Sequence, residues 1–187
     1  MHYELMTQSP HVSIKSILFV CLGNICRSPI AEGIFRHIAA QRGFSDHFKI
    51  SSAGLGSWHI GRPPDQRAQD AVRAMGIDIS TIRARRVTPS DFESYDLILA
   101  MDRANRNALL RMAPVHHRDK IKLFLAYAPN LSVHEVPDPF FGHTDNFEYV
   151  CQLVDAACRG LLVNLTSQTP VQSTPAANSG LSVSLNG

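Results

Sequence analysis

Long apolar runs are missing from this 187-residue chain. The longest, Ile17 to Leu22, ends at Gly23, far short of the roughly 20 residues a membrane-spanning helix needs. No membrane insertion is expected. The first 15 residues also lack the apolar core of an export signal. Cysteine is scarce, four in all, which excludes a disulfide scaffold. Without an export signal the expected compartment is the reducing cytoplasm. Asn130-Leu-Ser132 and Asn164-Leu-Thr166 are then chance matches to the glycosylation pattern. Charge is sparse and balanced: 18 Lys and Arg against 16 Asp and Glu give a net +2. That excludes a general nucleic-acid binder. Lysine is nearly absent, with 4 against 14 Arg, and Arg is the better fork for phosphate or carboxylate. The nine histidines show no metal-ligand spacing, so neither a metal nor another cofactor is expected. His116-His117 reads as a surface loop. Residues 166–187 contain no charge and no aromatic and have little to bury. They are expected to be a flexible tail, as are residues 1–14, leaving one folded domain over 15–165.

Inside that domain short apolar runs alternate with helical patterns. Ser16–Cys21, Phe48–Ser52, Asp96–Met101 and Ile121–Phe124 read as strands. Helices are expected over Ser28–Arg42, with Pro29 in its first turn, over Asp65–Met75, stopped by Gly76, over Asp102–Met112, stopped by Pro114, and over Asp145–Leu165. A short helix should start near Thr88, with Thr88 capping and Pro89 first. Strands separated by helices imply an α/β fold, a four-stranded parallel sheet with helices on both faces. Ligands of such folds sit beyond the carboxyl ends of the strands, where the strand order reverses.

The loop after the first strand is Cys21-Leu22-Gly23-Asn24-Ile25-Cys26-Arg27-Ser28-Pro29. A bare Cys-x5-Arg is weak, because four Cys and 14 Arg in 187 residues give about 0.3 matches by chance. Its setting is what informs. Gly23 and Asn24 tolerate left-handed backbone. Successive N–H groups ending at a helix start form an anion cradle, and Arg27 adds a fork for phosphoryl oxygens. The same positive field suits a thiolate nucleophile at Cys21. Leu22 to Arg27 are therefore the candidate phosphate-binding residues. A nucleophile and a cradle still need a proton donor for the leaving group. Asp138, in Pro137-Asp138-Pro139-Phe140-Phe141-Gly142 after the fourth strand, is the candidate. The prolines stiffen its loop, and a carboxyl near apolar rings is easier to keep protonated.

The run VCLGNICRSPIAEGIF, then SSAG, Trp58-His59, Arg62-Pro-Pro-Asp65, DFESYDLILAMD, DPFFG and NFEYV resembles the low-molecular-weight protein tyrosine phosphatases over about 15–163. The resemblance implies a single-domain, flavodoxin-like three-layer fold and hydrolysis of phosphotyrosine without metal. Cys21 would form a phosphocysteine, Arg27 and the loop amides would hold the phosphoryl oxygens, and Asp138 would protonate the leaving oxygen and then activate water. It implies that Ser28 hydrogen-bonds the thiolate, that Asn24 braces the loop with help from Ser52, and that Trp58, Phe140 and Phe141 wall a slot for an aryl ring. The implied partners are a phosphotyrosine protein and, upstream, a tyrosine kinase.

Three features depart from the pattern. Ile82 stands where the family often has a His that braces the loop asparagine, which implies a weaker brace; Arg86 replaces a common Gln; and Phe140-Phe141 stand where some members carry Tyr, which excludes phosphorylation of that pair. Cys26 reads either as a small buried residue or, by the resemblance, as a partner for a reversible disulfide with Cys21 under peroxide. Arg83, Arg85 and Arg86 read as a solvated patch, with a rim for acidic phosphopeptides as the functional alternative. A thioredoxin-coupled arsenate reductase would share loop and fold, but segment 76–95 holds no relay cysteine. Cys151 and Cys158 lie about 10 Å apart on a straight helix and read as packing residues. A phosphoprotein-binding module is opposed by the joint presence of Cys21, Arg27 and Asp138.

Overall fold

The computed structural model describes residues 14–142 and 144–167. Most of the two expected tails, 1–14 and 166–187, lies outside the described residues. Residues 166 and 167 form the end of the last helix.

The most apolar segment forms the centre. Strand β1 (Ser16–Cys21) is buried throughout. It pairs in parallel with β2 (Lys49–Gly54) on one side and β3 (Leu97–Ala100) on the other. Strand β4 (Ile121–Leu123) adds beyond β3, so the sheet order is β2-β1-β3-β4. The order reverses at β1, and the Cys21 loop emerges at that switch. The two-residue period of β1 feeds two cores. Ile17, Phe19 and Cys21 face a layer built on α1 (Arg27–Gln41), α2 (Gln66–Arg73) and α5 (Thr144–Ser167). Leu18 and Val20 face the layer of α3 (Asp91–Ser94) and α4 (Arg103–Met112). This is the expected three-layer, flavodoxin-like α/β architecture. Among the described residues no helix is long and apolar enough to cross a membrane.

Several boundaries differ from expectation for physical reasons. β2 runs two residues further, because Ala53 and Gly54 pair with Val20 and Cys21. β3 begins one residue later and ends one earlier, at Leu97 and Ala100. Asp96 turns its carboxylate back to accept from Lys15 N–H, Ser16 N–H and Ser16 Oγ. Asp65 and Asp102 cap α2 and α4 rather than joining them, accepting from Arg67 and Asn105 N–H. Thr88 does not cap α3. Ser90 holds that position, while the Asp91 carboxylate reaches back to accept from Thr88 N–H at 2.8 Å and Thr88 Oγ1 at 3.1 Å. α2 ends at Arg73, two residues short of the expected Met75, and Gly76 turns the chain away just beyond it in left-handed backbone, φ +77°.

Candidate active site

The loop that connects β1 to α1 exposes Leu22 and buries Asn24, Ile25 and Cys26. Asn24 takes left-handed backbone, φ +57°, and Gly23 does not. Asn is among the few residues that tolerate that region, and its amide is then used in full. Nδ2 donates to Ser28 Oγ and to Ser52 Oγ, both at 2.9 Å. Oδ1 accepts from Arg85 N–H at 2.9 Å. Ser28 Oγ stands 3.0 Å from Cys21 Sγ, and Asn24 N–H points at the same sulfur from 3.3 Å. The start of α1 leaves its first N–H groups without intrahelical partners, available to an anion in the loop.

Ile82 does not leave Asn24 short of partners. Ser52 Oγ donates onward to Glu32 Oε2 at 2.6 Å, and Glu32 in turn accepts from Arg36 at 2.9 Å. A buried carboxylate thus anchors Ser52, and Ile82 packs against the core. Gly54 permits the close approach of β2 to this loop. A Cβ there would stand 3.0 Å from Asn24 N and Gly23 C and 3.1 Å from Leu22 O, all backbone.

Arg27 is 3% exposed and forked between two carboxylates. Nη1 donates to Asp102 Oδ2 at 2.6 Å and to the Val136 carbonyl at 3.1 Å; Nη2 donates to Asp138 Oδ2 at 2.6 Å. Asp138 therefore rests in an ion pair with Arg27 rather than only against apolar rings. Its other oxygen accepts from Phe140 N–H at 3.2 Å.

Cys21, Leu22, Gly23, Ile25, Cys26 and Arg27 line one cavity of about 140 Å³ together with Asp138, Trp58, His59, Phe140 and Phe141. Of the predicted nucleophile, cradle, acid and wall residues all but Asn24 line it; the Asn24 side chain is instead engaged by Ser28, Ser52 and Arg85. The walls are not equal: Phe140 is half-buried against His59, Trp58 is 59% exposed and Phe141 97% exposed, so these two form the rim. Burial pushes the Cys26 thiol far up, with the neighbouring Asp65, Cys21 and Asp138 adding to the effect. All four cysteines are free and buried.

Some expectations are corrected. Arg85 is not part of a solvated patch: its guanidinium forks the Asp91 carboxylate at 2.9 and 3.0 Å, while its N–H holds Asn24. Arg83 and Arg86 are exposed as expected, donating to the carbonyls of Ser80 and Ile82 and of Leu55. Cys151 and Cys158 pack in the core. Among the described residues no cluster of three or more His, Cys, Asp or Glu side chains could hold a metal ion.

Other residues of the site carry no assigned role in the sequence. Asp102 is within reach, since it directly follows β3, where the switch-point rule directs attention. Glu32 and His59 lie within the quoted motifs without a role, and Arg67 lies outside them.

The family model for low molecular weight phosphotyrosine protein phosphatases matches residues 16–171. The low molecular weight protein-tyrosine-phosphatase YfkJ of Bacillus subtilis is 44% identical over 82% of this chain and 97% of its own length. The low molecular weight phosphotyrosine protein phosphatase of Sus scrofa is 41% identical over 79% of this chain and 94% of its own. The YfkJ crystal structure superposes with a TM-score of 0.79, covering 84% of this chain and 98% of that one. A protein tyrosine phosphatase from Entamoeba histolytica also gives 0.79 at 34% identity, covering 82% and 97%. The chain belongs to the low molecular weight phosphotyrosine protein phosphatases, a family of cysteine-dependent enzymes.

Proposed function

We propose that this enzyme hydrolyses phosphotyrosine in proteins, and small aryl phosphates, through a phosphocysteine intermediate, with Asp138 as general acid. The observation that carries the reading is the convergence of Cys21, Arg27 and Asp138 on one narrow cavity with an aromatic side wall. The slot accepts an aryl ring against Phe140, with Trp58 and Phe141 at the rim. Its floor is the Cys21 loop, and the ring's length carries the phosphate to that depth.

Arrival of the phosphate dianion exchanges partners at Arg27. Nη2 leaves Asp138 for a phosphoryl oxygen, while Asp102 keeps Nη1 and holds the guanidinium plane. The Cys21 sulfur forms a bond to phosphorus as the phosphorus–oxygen bond to tyrosine breaks. Asp138, released from Arg27, takes up a proton from solvent as the substrate binds and gives it to the departing oxygen. Water then attacks the phosphocysteine, returns a proton to Asp138, and frees inorganic phosphate and the thiolate. Ser28 and the loop amides stabilise the sulfur as anion and leaving group. No step calls on a cofactor.

A free thiol nucleophile suits the reducing cytoplasm, where a tyrosine kinase would supply the substrate. Arsenate reduction through thioredoxin is disfavoured by the burial of Cys151 and Cys158. The test is phosphate release from a phosphotyrosine peptide under reducing conditions, wild type beside Cys21→Ser. The wild type turns over and the variant does not; a folded, reduced wild type without turnover sinks the proposal.

A further inference from the structure

We propose that Arg67 is a positioning residue that holds the loop carrying Asp138 in register with the phosphate loop. It stands at the second position of α2, yet its guanidinium reaches across to residues more than seventy positions away. Nη2 donates to the Phe140 carbonyl at 3.1 Å and Nη1 to the Gly142 carbonyl at 3.4 Å. Its charge is met by Asp65, which accepts from Nε at 3.0 Å and Nη2 at 2.9 Å. The guanidinium also lies over the rings of Phe147, 4.8 Å, and Phe140, 5.8 Å. Phe147 is fully buried on α5, so one side of the brace rests on the core.

The brace touches both halves of the site. Asp65 N–H donates to the Ile25 carbonyl in the phosphate loop at 2.8 Å. Phe140, held at its carbonyl by Arg67, donates its N–H to Asp138 Oδ1. A continuous polar path therefore runs from Ile25 through Asp65, Arg67 and Phe140 to Asp138.

The demand on Arg67 rises during turnover. Among the described residues, the hydrogen bonds that leave segment 137–142 go to Arg27 and Arg67 alone. When phosphate takes Arg27, the Arg27–Asp138 pair opens and Arg67 becomes the remaining polar hold on the loop. Asp138 must at that moment stand at the leaving oxygen. A planar fork with donors in several directions serves two carbonyls and a carboxylate at once, which a lysine ammonium cannot do in the same geometry.

The proposal rests on Asp138 as the proton donor, and its test separates the two. The values of kcat/KM are measured for nitrophenyl phosphate, whose leaving group needs little help, and for phenyl phosphate, whose leaving group needs a proton. The proteins are wild type, Arg67→Gln and Asp138→Asn, with amide hydrogen exchange followed over 138–142. Arg67→Gln should lose about tenfold more on phenyl phosphate than on nitrophenyl phosphate, and the amides of Phe140 and Gly142 should exchange faster. Equal losses on the two substrates beside a selective loss in Asp138→Asn overturn the proposal, since a merely structural role affects both alike. If Asp138→Asn shows no selective loss, the proton-donor reading fails, and unchanged exchange over 138–142 in Arg67→Gln then overturns the brace.

Discussion

Asn24 combines a backbone and a side-chain requirement that two substitutions can separate. It is 1% exposed, sits at φ +57°, and makes three hydrogen bonds, to Ser28, Ser52 and Arg85. Glycine at this position keeps the left-handed backbone but removes all three bonds, at about 1 kcal/mol each or about 3 kcal/mol together. Alanine loses the same bonds and adds about 1–2 kcal/mol of left-handed strain, offset by about 0.5–1 kcal/mol because glycine is the freer residue when unfolded. Asn24→Gly should therefore be the more stable variant by about 0.5–1 kcal/mol, with both about 3 kcal/mol or more below wild type. Urea unfolding of the three proteins at one pH measures this. Both variants should also lose about 10- to 100-fold in kcat/KM on a phosphotyrosine peptide, because Ser28 loses the partner that orients it toward Cys21. An alanine variant as stable as the glycine variant, or either within about 1 kcal/mol of wild type, refutes the reasoning.

Gly54→Ala drives a Cβ to 3.0 Å from the phosphate-loop backbone, so kcat/KM should fall about 100-fold with the circular dichroism spectrum unchanged; activity near wild type would show that the loop tolerates the shift. Acid should destabilise the fold through particular carboxyls. The Arg67 hydrogen bond holds Asp65 below the usual aspartate range, and although burial opposes ionisation of Asp91 and Asp96, hydrogen bonds from Arg85 and Thr88 and from Lys15 and Ser16 hold these low too. Values lowered on folding mean a contribution complete above the unfolded aspartate pKa of about 3.9 and lost as pH falls through the lower folded values. Urea midpoints should thus drop steeply below about pH 4, and Asp91→Asn should lower the neutral-pH midpoint while making the acid slope shallower; an unchanged slope contradicts this assignment. Burial pushes the Cys151 thiol up to about 12 and raises Cys158 well above its ordinary value. Mass spectrometry should find both unmodified by iodoacetamide in the folded protein at mildly alkaline pH and fully modified in urea. Modification at the same rate in both conditions would mean that neither is a packing residue.

How far the sequence reads depends on whether a signal is local. β1, the Cys21 loop and the start of α1 are legible because a six-residue apolar strand, a glycine-containing turn and Pro29 follow one another without interruption. The end of β2 is not, because Ala53 and Gly54 carry little strand preference and are recruited by pairing with β1. Asp138 could be found from its prolines and neighbouring rings, but its ion pair with Arg27 joins residues 111 positions apart. Arg85 illustrates the limit from another side. Three arginines within four positions look like a solvated face, and only the fold reveals that the middle one is neutralised by Asp91 while its N–H completes Asn24. Glu32 lies within an otherwise apolar helix stretch, and its purpose emerges only when β2 brings Ser52 to within 2.6 Å. In the sequence the replacement at Ile82 implies a weaker brace, and this carboxylate is why Asn24 nonetheless keeps a full set of partners.

The proposed reaction turns on covalent chemistry at Cys21. The most direct measurement is a rapid acid quench during turnover of a phosphotyrosine peptide labelled in its phosphate, followed by mapping of any protein-bound label. Labelled phosphate is expected on Cys21 during turnover, and is expected to be absent from Cys21→Ser along with activity. Turnover with no label on Cys21, or a Cys21→Ser variant that still releases phosphate, would contradict it.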